Sequence, residues 1–387
     1  MTRLDPVAAE GPFAIGQLAL PFYSDAHRAL ADDLAAWIAR ERSSIAAIAE
    51  LPRAEGARAM VRALGDHGWL EIATEGDMQS VCLCRQAFAW LEDLCDFAFA
   101  LQGLAAFPLR QAGRGALVAD LASGRALGAL ALTERGAGSD LAAVTTRAER
   151  TGEGFTLSGE KAWIGHAGVA DIVVTLARTG GGGAFGLSLF AVPGAAPGVT
   201  QSPGPEMIAP RALGSIHLQD AAVPEAALLG AEGLGFVTAV QTIDAFRMSV
   251  GAAATGFARA ALQAAVSHVR QRRVEGRALA ERQLVKAALA DMAVALNTAE
   301  LSVAQAAWEW DRGVATAATR SSLAKLHASE AAHQVIDMAV QLLGAAGLAV
   351  NAPTERLYRQ VRSLRIYEGT SEMQRLAIGQ AVAAGQL

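Results

Sequence analysis

The chain has 387 residues, 52% of them hydrophobic and 18% charged, with a formal net charge of -5. It is long enough for two or three packed units and too apolar for a disordered polypeptide. The acidic balance leaves no broad basic face, which argues against nucleic acid as a partner. Cys82, Cys84 and Cys95 are too few and too clustered for a disulfide framework, and no paired histidines stand beside them at metal-ligand spacing, so they read as reduced thiols packed on a helix with no metal. The opening run Met1-Thr2-Arg3-Leu4-Asp5-Pro6 has no basic stretch leading into an apolar core, and no run approaches the length of a membrane span. A cytoplasmic protein without a membrane partner is the expectation.

Taken in order, residues 21–123 are dominated by alanine, leucine and arginine with breaks at Leu51-Pro52 and around Gly65 and Gly68, a helical texture. Residues 124–235 change to short β-rich runs, 172–176 and 187–192 among them, separated by glycine- and proline-rich turns. From 236 onward the helical period returns: Leu262, Val266 and Val269 recur at i, i+4 and i+7, and Val335, Met338 and Leu342 at i, i+3 and i+7. The expected fold is α+β and multi-domain, with an N-terminal helical domain (1–123), a small middle β domain (124–235) of barrel or sandwich type and a C-terminal helical bundle (236–387). This order does not match the alternating strand and helix of a doubly wound sheet. Gly181-Gly182-Gly183-Ala184-Phe185-Gly186 satisfies G-x-G-x-x-G, but the next run is a strand rather than a helix. With no helix dipole to hold a pyrophosphate, it reads as a hairpin loop.

Four segments carry chemistry. Arg365-Ile366-Tyr367-Glu368-Gly369-Thr370-Ser371-Glu372 sets one carboxylate between an aromatic residue and a glycine, a placement suited to a base. Leu132-Thr133-Glu134-Arg135-Gly136-Ala137-Gly138-Ser139-Asp140 joins small-residue hinges to hydroxyls, so its amides can approach a flat heterocycle or a phosphate closely. Gly159-Glu160-Lys161-Ala162-Trp163-Ile164 offers a tryptophan in a β-rich context. Arg272-Arg273-Val274-Glu275-Gly276, followed by Gln283, offers arginine forks that suit phosphate. On its own the basic run Arg270-Gln271-Arg272-Arg273 reads as a solvated helix end.

Together these segments resemble the acyl-CoA dehydrogenase flavoproteins, over nearly the whole chain and in the family's order. The resemblance implies FAD. Leu130, Leu132, Thr133, Trp163, Ile164 and Gly165 would contact the flavin. Arg272 and Gln283 would reach the FAD pyrophosphate of a neighbouring subunit, Gln341 and Gly344 its adenine side, and Thr370, Ser371 and Glu372 would also touch FAD. Ser139, Asp244, Arg247 and Gly369 would bind the thioester ligand and its CoA moiety. Glu368 would take the α-proton while hydride leaves the β-carbon, giving a 2-enoyl-CoA, with an electron-transfer flavoprotein as acceptor and a homo-oligomer, tetramer or dimer, as the working form. The chain departs from the pattern at Arg135 (usually proline), Gly165 (usually a hydroxyl residue near N5, which a backbone amide, a water or His166 could replace), Glu275 (usually aromatic) and Ala345 (commonly glycine). Phe246 stands where a few relatives carry their base. Between 74 and 113 the usual Pro-Glu-x-x-Gly-Gly loop is missing, which leaves branched or alicyclic acyl groups open. Two alternatives stay open: an acyl or aminoacyl group held on a carrier protein, and a FAD-binding relative that does not dehydrogenate.

Overall fold

A computed structural model describes residues 11–386; the opening run read for a leader lies outside them. It has N-terminal helices, a middle β region and a C-terminal helical domain, as expected from the sequence. By compactness the chain forms two units, each assembled from separated segments: Met1–Ser43, Asp77–Asp96 and Ala245–Leu387 in one, Ser44–Gly76 and Phe97–Asp244 in the other.

The second unit is built on a mainly antiparallel sheet. Its strand order runs Val199–Pro203, Leu213–Pro224, Gly154–Gly165, Arg147–Arg150, Ile172–Arg178, Leu187–Pro193 and Leu228–Leu229, and Gly128–Ala131 adds in parallel to Ile172–Arg178 with Leu130 opposite Val174. Aromatic, β-branched and leucine residues line both faces: Phe155, Phe190, Val192 and Ile216 pack on one, and Val174, Leu176, Leu187 and Leu189 on the other. Phe155 and Phe190 meet edge to face at 5.0 Å. Ile172–Arg178 and Leu187–Pro193 pair directly, so Gly181 to Gly186 lie in the hairpin loop between two strands.

In the first unit the helices Gln283–Asp311 and Ala317–Leu343 pair along their lengths, Met78–Leu91 packs on the former, and Pro353–Val361 and Ser371–Ala383 pack on the latter. Met78–Leu91 starts at the run read as leading straight into a helix: Asp77 caps it by accepting from Ser80 N at 2.7 Å. Asp311 adds a second anion there, accepting from the amides of Met78 and Gln79 at 2.7 and 3.0 Å. The three cysteines are buried free thiols, and no cluster of potential metal ligands occurs among the described residues. One point departs from the sequence reading. Gln283–Asp311 is long and apolar enough, by length and composition, to cross a membrane, and a third of that window is buried. Alanine-rich helices that pair closely are as apolar on average as a span, so averaged hydropathy does not separate the two.

Candidate active site

The loop after strand Gly128–Ala131 is anchored by Glu134. Its two carboxylate oxygens accept from the amides and hydroxyls of both Thr145 and Thr146 at 2.6 to 2.9 Å, and from Lys161 Nζ at 2.9 Å. Burial opposes the charge, but Lys161 and the two hydroxyls prevail and hold this carboxyl down at about 2. Lys161 also donates to Leu132 O, and Ala162 N donates to Thr133 O at 3.0 Å. Thr133 is thereby pinned beside the strand that carries Trp163.

Trp163 has φ +62°, where the pairing between Gly154–Gly165 and Leu213–Pro224 slips, and its side chain is 48% exposed. A bulky residue in the left-handed region is a strained exception, and here the strain presents an indole to solvent. Ile164 is buried behind it, Leu130 is half-buried, and Ser139 is exposed at the far end of the loop. Arg135, at the usual proline position, points outward and pairs with Glu160 at 3.3 Å.

Gly165 has a packing reason. A Cβ there would stand 2.6 and 2.8 Å from the two Leu101 methyls and 3.2 Å from Phe97 Cζ, so the space a hydroxyl residue would need is filled by Leu101. His166 cannot supply the missing donor. It is fully buried, its Nδ1 donates to Gly128 O at 3.0 Å, and burial pushes it down to about 4, leaving Nε2 a lone pair with no partner. It is a core histidine that ties the strands together.

In the other unit, Glu368 and Gly369 form a left-handed turn, φ +53° and +89°, between the short helix Arg362–Arg365 and the helix Ser371–Ala383. Their carbonyls are clamped. Glu368 O accepts from Gln374 Nε2 at 3.2 Å and Arg247 Nε at 3.4 Å, and Gly369 O accepts from Lys325 Nζ at 2.6 Å and Gln374 Nε2 at 3.0 Å. Glu368 Oε2 is buried and has no partner among the described residues. Burial raises this carboxyl above the ordinary glutamate range, against the pull of Arg85, Lys325 and Arg247, while Asp96 adds to the rise. Thr370 caps the following helix by accepting from Met373 N, and Ser371 Oγ donates to Glu330 at 2.7 Å. Glu372 is exposed in the first turn, held low by its own amide and the Thr370 hydroxyl.

The structure thus gathers Glu368, Gly369 and Arg247 into one contact group in this unit, and in the other unit ties Leu132 and Thr133 to the strand that carries Trp163 and Gly165. Asp244 is half-buried on the same helix as Arg247. Arg272 and Gln283 are exposed at the two ends of a small arm whose strands, Arg273–Val274 and Arg277–Ala278, pair with each other. Glu275 turns at its tip with φ +52° and pairs with Arg282 at 2.9 Å. Gln341 and Gly344 are exposed at the end of Ala317–Leu343. Sequence reasoning missed Lys325, Gln374, Arg85 and Asp96. The available signal was a charged residue inside an alanine- and leucine-rich helical run, as at Lys325 and Arg85.

Residues 129–221 match the acyl-CoA dehydrogenase middle domain and residues 233–383 the acyl-CoA dehydrogenase C-terminal domain. The short-chain specific acyl-CoA dehydrogenase of Bos taurus mitochondria is 40% identical over 67% of this chain and 64% of its own length. The cyclohexane-1-carbonyl-CoA dehydrogenase of Geobacter metallireducens is 33% identical over 73% of this chain and 76% of its own. The glutaryl-CoA dehydrogenase structure from Mycobacterium smegmatis superposes with a TM-score of 0.83 at 29% identity, covering 93% of this chain and 95% of that one. The match spans a little under two thirds of the length of the mitochondrial short-chain enzymes. With both domains matched in order, and relatives above 30% identity matched over more than two thirds of their own length, the chain belongs to the acyl-CoA dehydrogenase family.

Proposed function

We propose that this protein dehydrogenates an acyl-CoA thioester between Cα and Cβ, with Glu368 as the base. The observation that carries this reading is the Glu368 turn: a carboxylate whose Oε2 is buried without a partner, on a strained backbone clamped from three side chains. Strain of this kind persists where the surroundings over-determine it, as at active sites.

The family's cofactor is FAD, and the residues present fit it. Trp163 offers an exposed indole face beside the fixed Thr133, and a Cβ at Gly136 or Gly138 would meet no atom within 4 Å, so the neighbouring loop backbone is open to a ligand. Leu130, Leu132, Thr133, Trp163, Ile164 and Gly165 would hold the flavin, and Arg272, Gln283, Gln341, Gly344, Thr370, Ser371 and Glu372 the rest of the cofactor. The exposure of Arg272 and Gln283 at their arm fits a reach toward a second subunit, and a homo-oligomer is part of the proposal. FAD, when bound, supplies the two-electron acceptor for the hydride that leaves Cβ.

The chain's own part is proton transfer and positioning. A solvated carboxylate is too weak a base for a thioester α-proton; burial raises Glu368 and so strengthens it once ionised. The proton lost from Cα ends on the Glu368 carboxylate, and the Cα–H bonding pair becomes the second bond of the 2-enoyl product as hydride departs from Cβ. The Glu368 backbone N–H is the donor for charge developing on the thioester oxygen, a contribution of about 3 kcal/mol per donor in comparable oxyanion sites. Gly369 keeps that approach open, and Ser139, Asp244 and Arg247 are the candidates for the thioester and CoA. An electron-transfer flavoprotein as next carrier and a cytoplasmic setting belong to the same proposal.

The test is anaerobic addition of straight, branched and alicyclic acyl-CoA esters to the purified yellow protein while the visible flavin band is followed. Bleaching by one class supports the reading and identifies the acyl shape. A flavin that no CoA ester bleaches overturns it and moves attention to carrier-bound acyl groups.

A further inference from the structure

The segment that carries Glu368 is not held by apolar packing. None of residues 366–370 is fully buried, and Ile366 is 56% exposed. A non-glycine residue at φ +53° keeps that conformation only where its surroundings fix it, so polar contacts have to define where this segment lies.

One carboxylate meets the segment from both sides. Arg365, three residues before Glu368, donates from Nε to Glu330 Oε1 at 3.0 Å, and its Nη2 stands 3.0 Å from Oε2, a bidentate fork. Ser371, three residues after Glu368, donates its hydroxyl to the same Oε1 at 2.7 Å. Arg375, on the helix Ser371–Ala383, adds its charge at 3.8 Å. Glu330 is carried by Ala317–Leu343, the helix that also sends Lys325 to the Gly369 carbonyl. Isolated half-exposed ion pairs add little to stability, because solvent screens them and long side chains lose freedom. This one differs in two respects. The fork fixes the guanidinium in one orientation, and the third donor, Ser371, is 2% exposed, where a hydroxyl deprived of its acceptor is costly.

We propose that Glu330 is a positioning residue for the reaction: it staples both ends of the 366–370 segment and so fixes where the Glu368 carboxylate stands. This rests on the reading of Glu368 as the base. Lys325, Arg247 and Gln374 hold the carbonyls of the turn, and Glu330 holds the residues on either side of it. Both sides share the acceptor Oε1, so loss of the carboxylate releases them together, whereas loss of Arg365 or Ser371 releases one.

The test uses the FAD-bound protein. Amide hydrogen exchange read by mass spectrometry follows the peptide across residues 366–371. Anaerobic rapid mixing, with whichever straight, branched or alicyclic acyl-CoA ester bleaches the flavin, gives the limiting rate of reduction and the ester affinity separately. Glu330→Ala should speed exchange in that peptide, leave the protection of Ala317–Leu343 as in the parent, and lower the limiting rate about 10-fold or more with little change in ester affinity. Arg365→Ala and Ser371→Ala should each do so in part, and neither should add a further loss in the Glu330→Ala background, where their shared partner is gone. Glu330→Gln keeps an acceptor for Ser371 and should fall between the parent and the alanine variant; it carries the test if the alanine variant does not fold. Unchanged exchange at the turn, or a loss of protection spread over the whole helix, overturns the proposal. So does a loosened turn with an unchanged limiting rate where Glu368→Gln is inactive. Normal reduction by Glu368→Gln removes the base assignment instead, and exchange at the turn then still decides whether Glu330 holds it.

Discussion

Lys325, fully buried in the helix Ala317–Leu343, donates from Nζ to the backbone oxygen of Gly369 at 2.6 Å, so the residue after Glu368 is held by a charge brought from another helix. Burial pushes this ammonium down to about 8, with the Glu368 carboxylate opposing the fall. It therefore stays protonated near neutrality, and a hydrogen bond to a charged donor is among the stronger ones. Lys325→Met should retain FAD but lose the clamp, lowering the single-turnover rate of flavin reduction roughly 10-fold or more, which corresponds to about 1.5–3 kcal/mol for such a bond. Rapid-mixing absorbance under anaerobic conditions measures it. An unchanged rate would mean that Gln374 and Arg247 suffice.

Glu368→Gln should keep flavin and ligand binding and abolish reduction, because the amide cannot take the α-proton. In the parent protein the rate should fall on the acid side as pH drops through the raised Glu368 value, since only the ionised form is a base. That limb should therefore lie above the ordinary glutamate range. Normal reduction by the glutamine variant would remove Glu368 from the mechanism.

Gly165→Thr tests whether Leu101 excludes the hydroxyl. The new Cβ would enter the space of the Leu101 methyls, and overpacking of this kind costs about 1–3 kcal/mol. Thermal unfolding should show a lowered midpoint for Gly165→Thr and recovery in Gly165→Thr combined with Leu101→Ala. A single variant as stable as the parent would show that Leu101 moves aside freely.

Arg272→Ala should release FAD without unfolding the chain. The side chain is exposed, so its removal costs little stability. Gel filtration with absorbance at flavin and protein wavelengths would show a colourless protein eluting at the parent's position. Full retention of flavin would take Arg272 out of the cofactor set.

What the sequence made legible was whatever is written in consecutive residues. The change from helical to β texture, the start of a helix at Asp77, the Gly181 to Gly186 hairpin and the Tyr367-Glu368-Gly369 run all depend on near neighbours. The rest depends on distant ones. Arg85 meets Ser249 and Lys325 meets Gly369 only because helices far apart in sequence pack together, and nothing local to either residue announces a partner. Gly165 is the sharper case. From the motif alone it is a missing hydroxyl, but its cause is the Leu101 side chain on a helix distant in sequence, and periodicity reports which face Leu101 is on without reporting what it fills. At Gln283–Asp311 length and composition suit a membrane span, while the helix also pairs closely with Ala317–Leu343, and averaged hydropathy does not separate the two.

Glu134 gives the last prediction, on stability rather than turnover. Its carboxylate receives four donors from Thr145 and Thr146 and one from Lys161, and its folded value of about 2 lies below the ordinary 4.5. A depressed carboxyl contributes stability that is fully present above the unfolded value and is lost as pH falls through the folded one, so the window runs from near 4.5 down to about 2. Glu134→Gln removes the charge, leaves Lys161 buried without its partner and should cost about 3–5 kcal/mol at pH 7. Denaturant unfolding at neutral pH should show that loss, and the gap between parent and variant should narrow as pH is lowered through the window. Because Lys161 also holds Leu132 O, the variant should bind flavin more weakly even where it remains folded. A gap that stays constant from pH 7 to 3 would show that the hydrogen bonds, rather than the ionised state of Glu134, secure the loop.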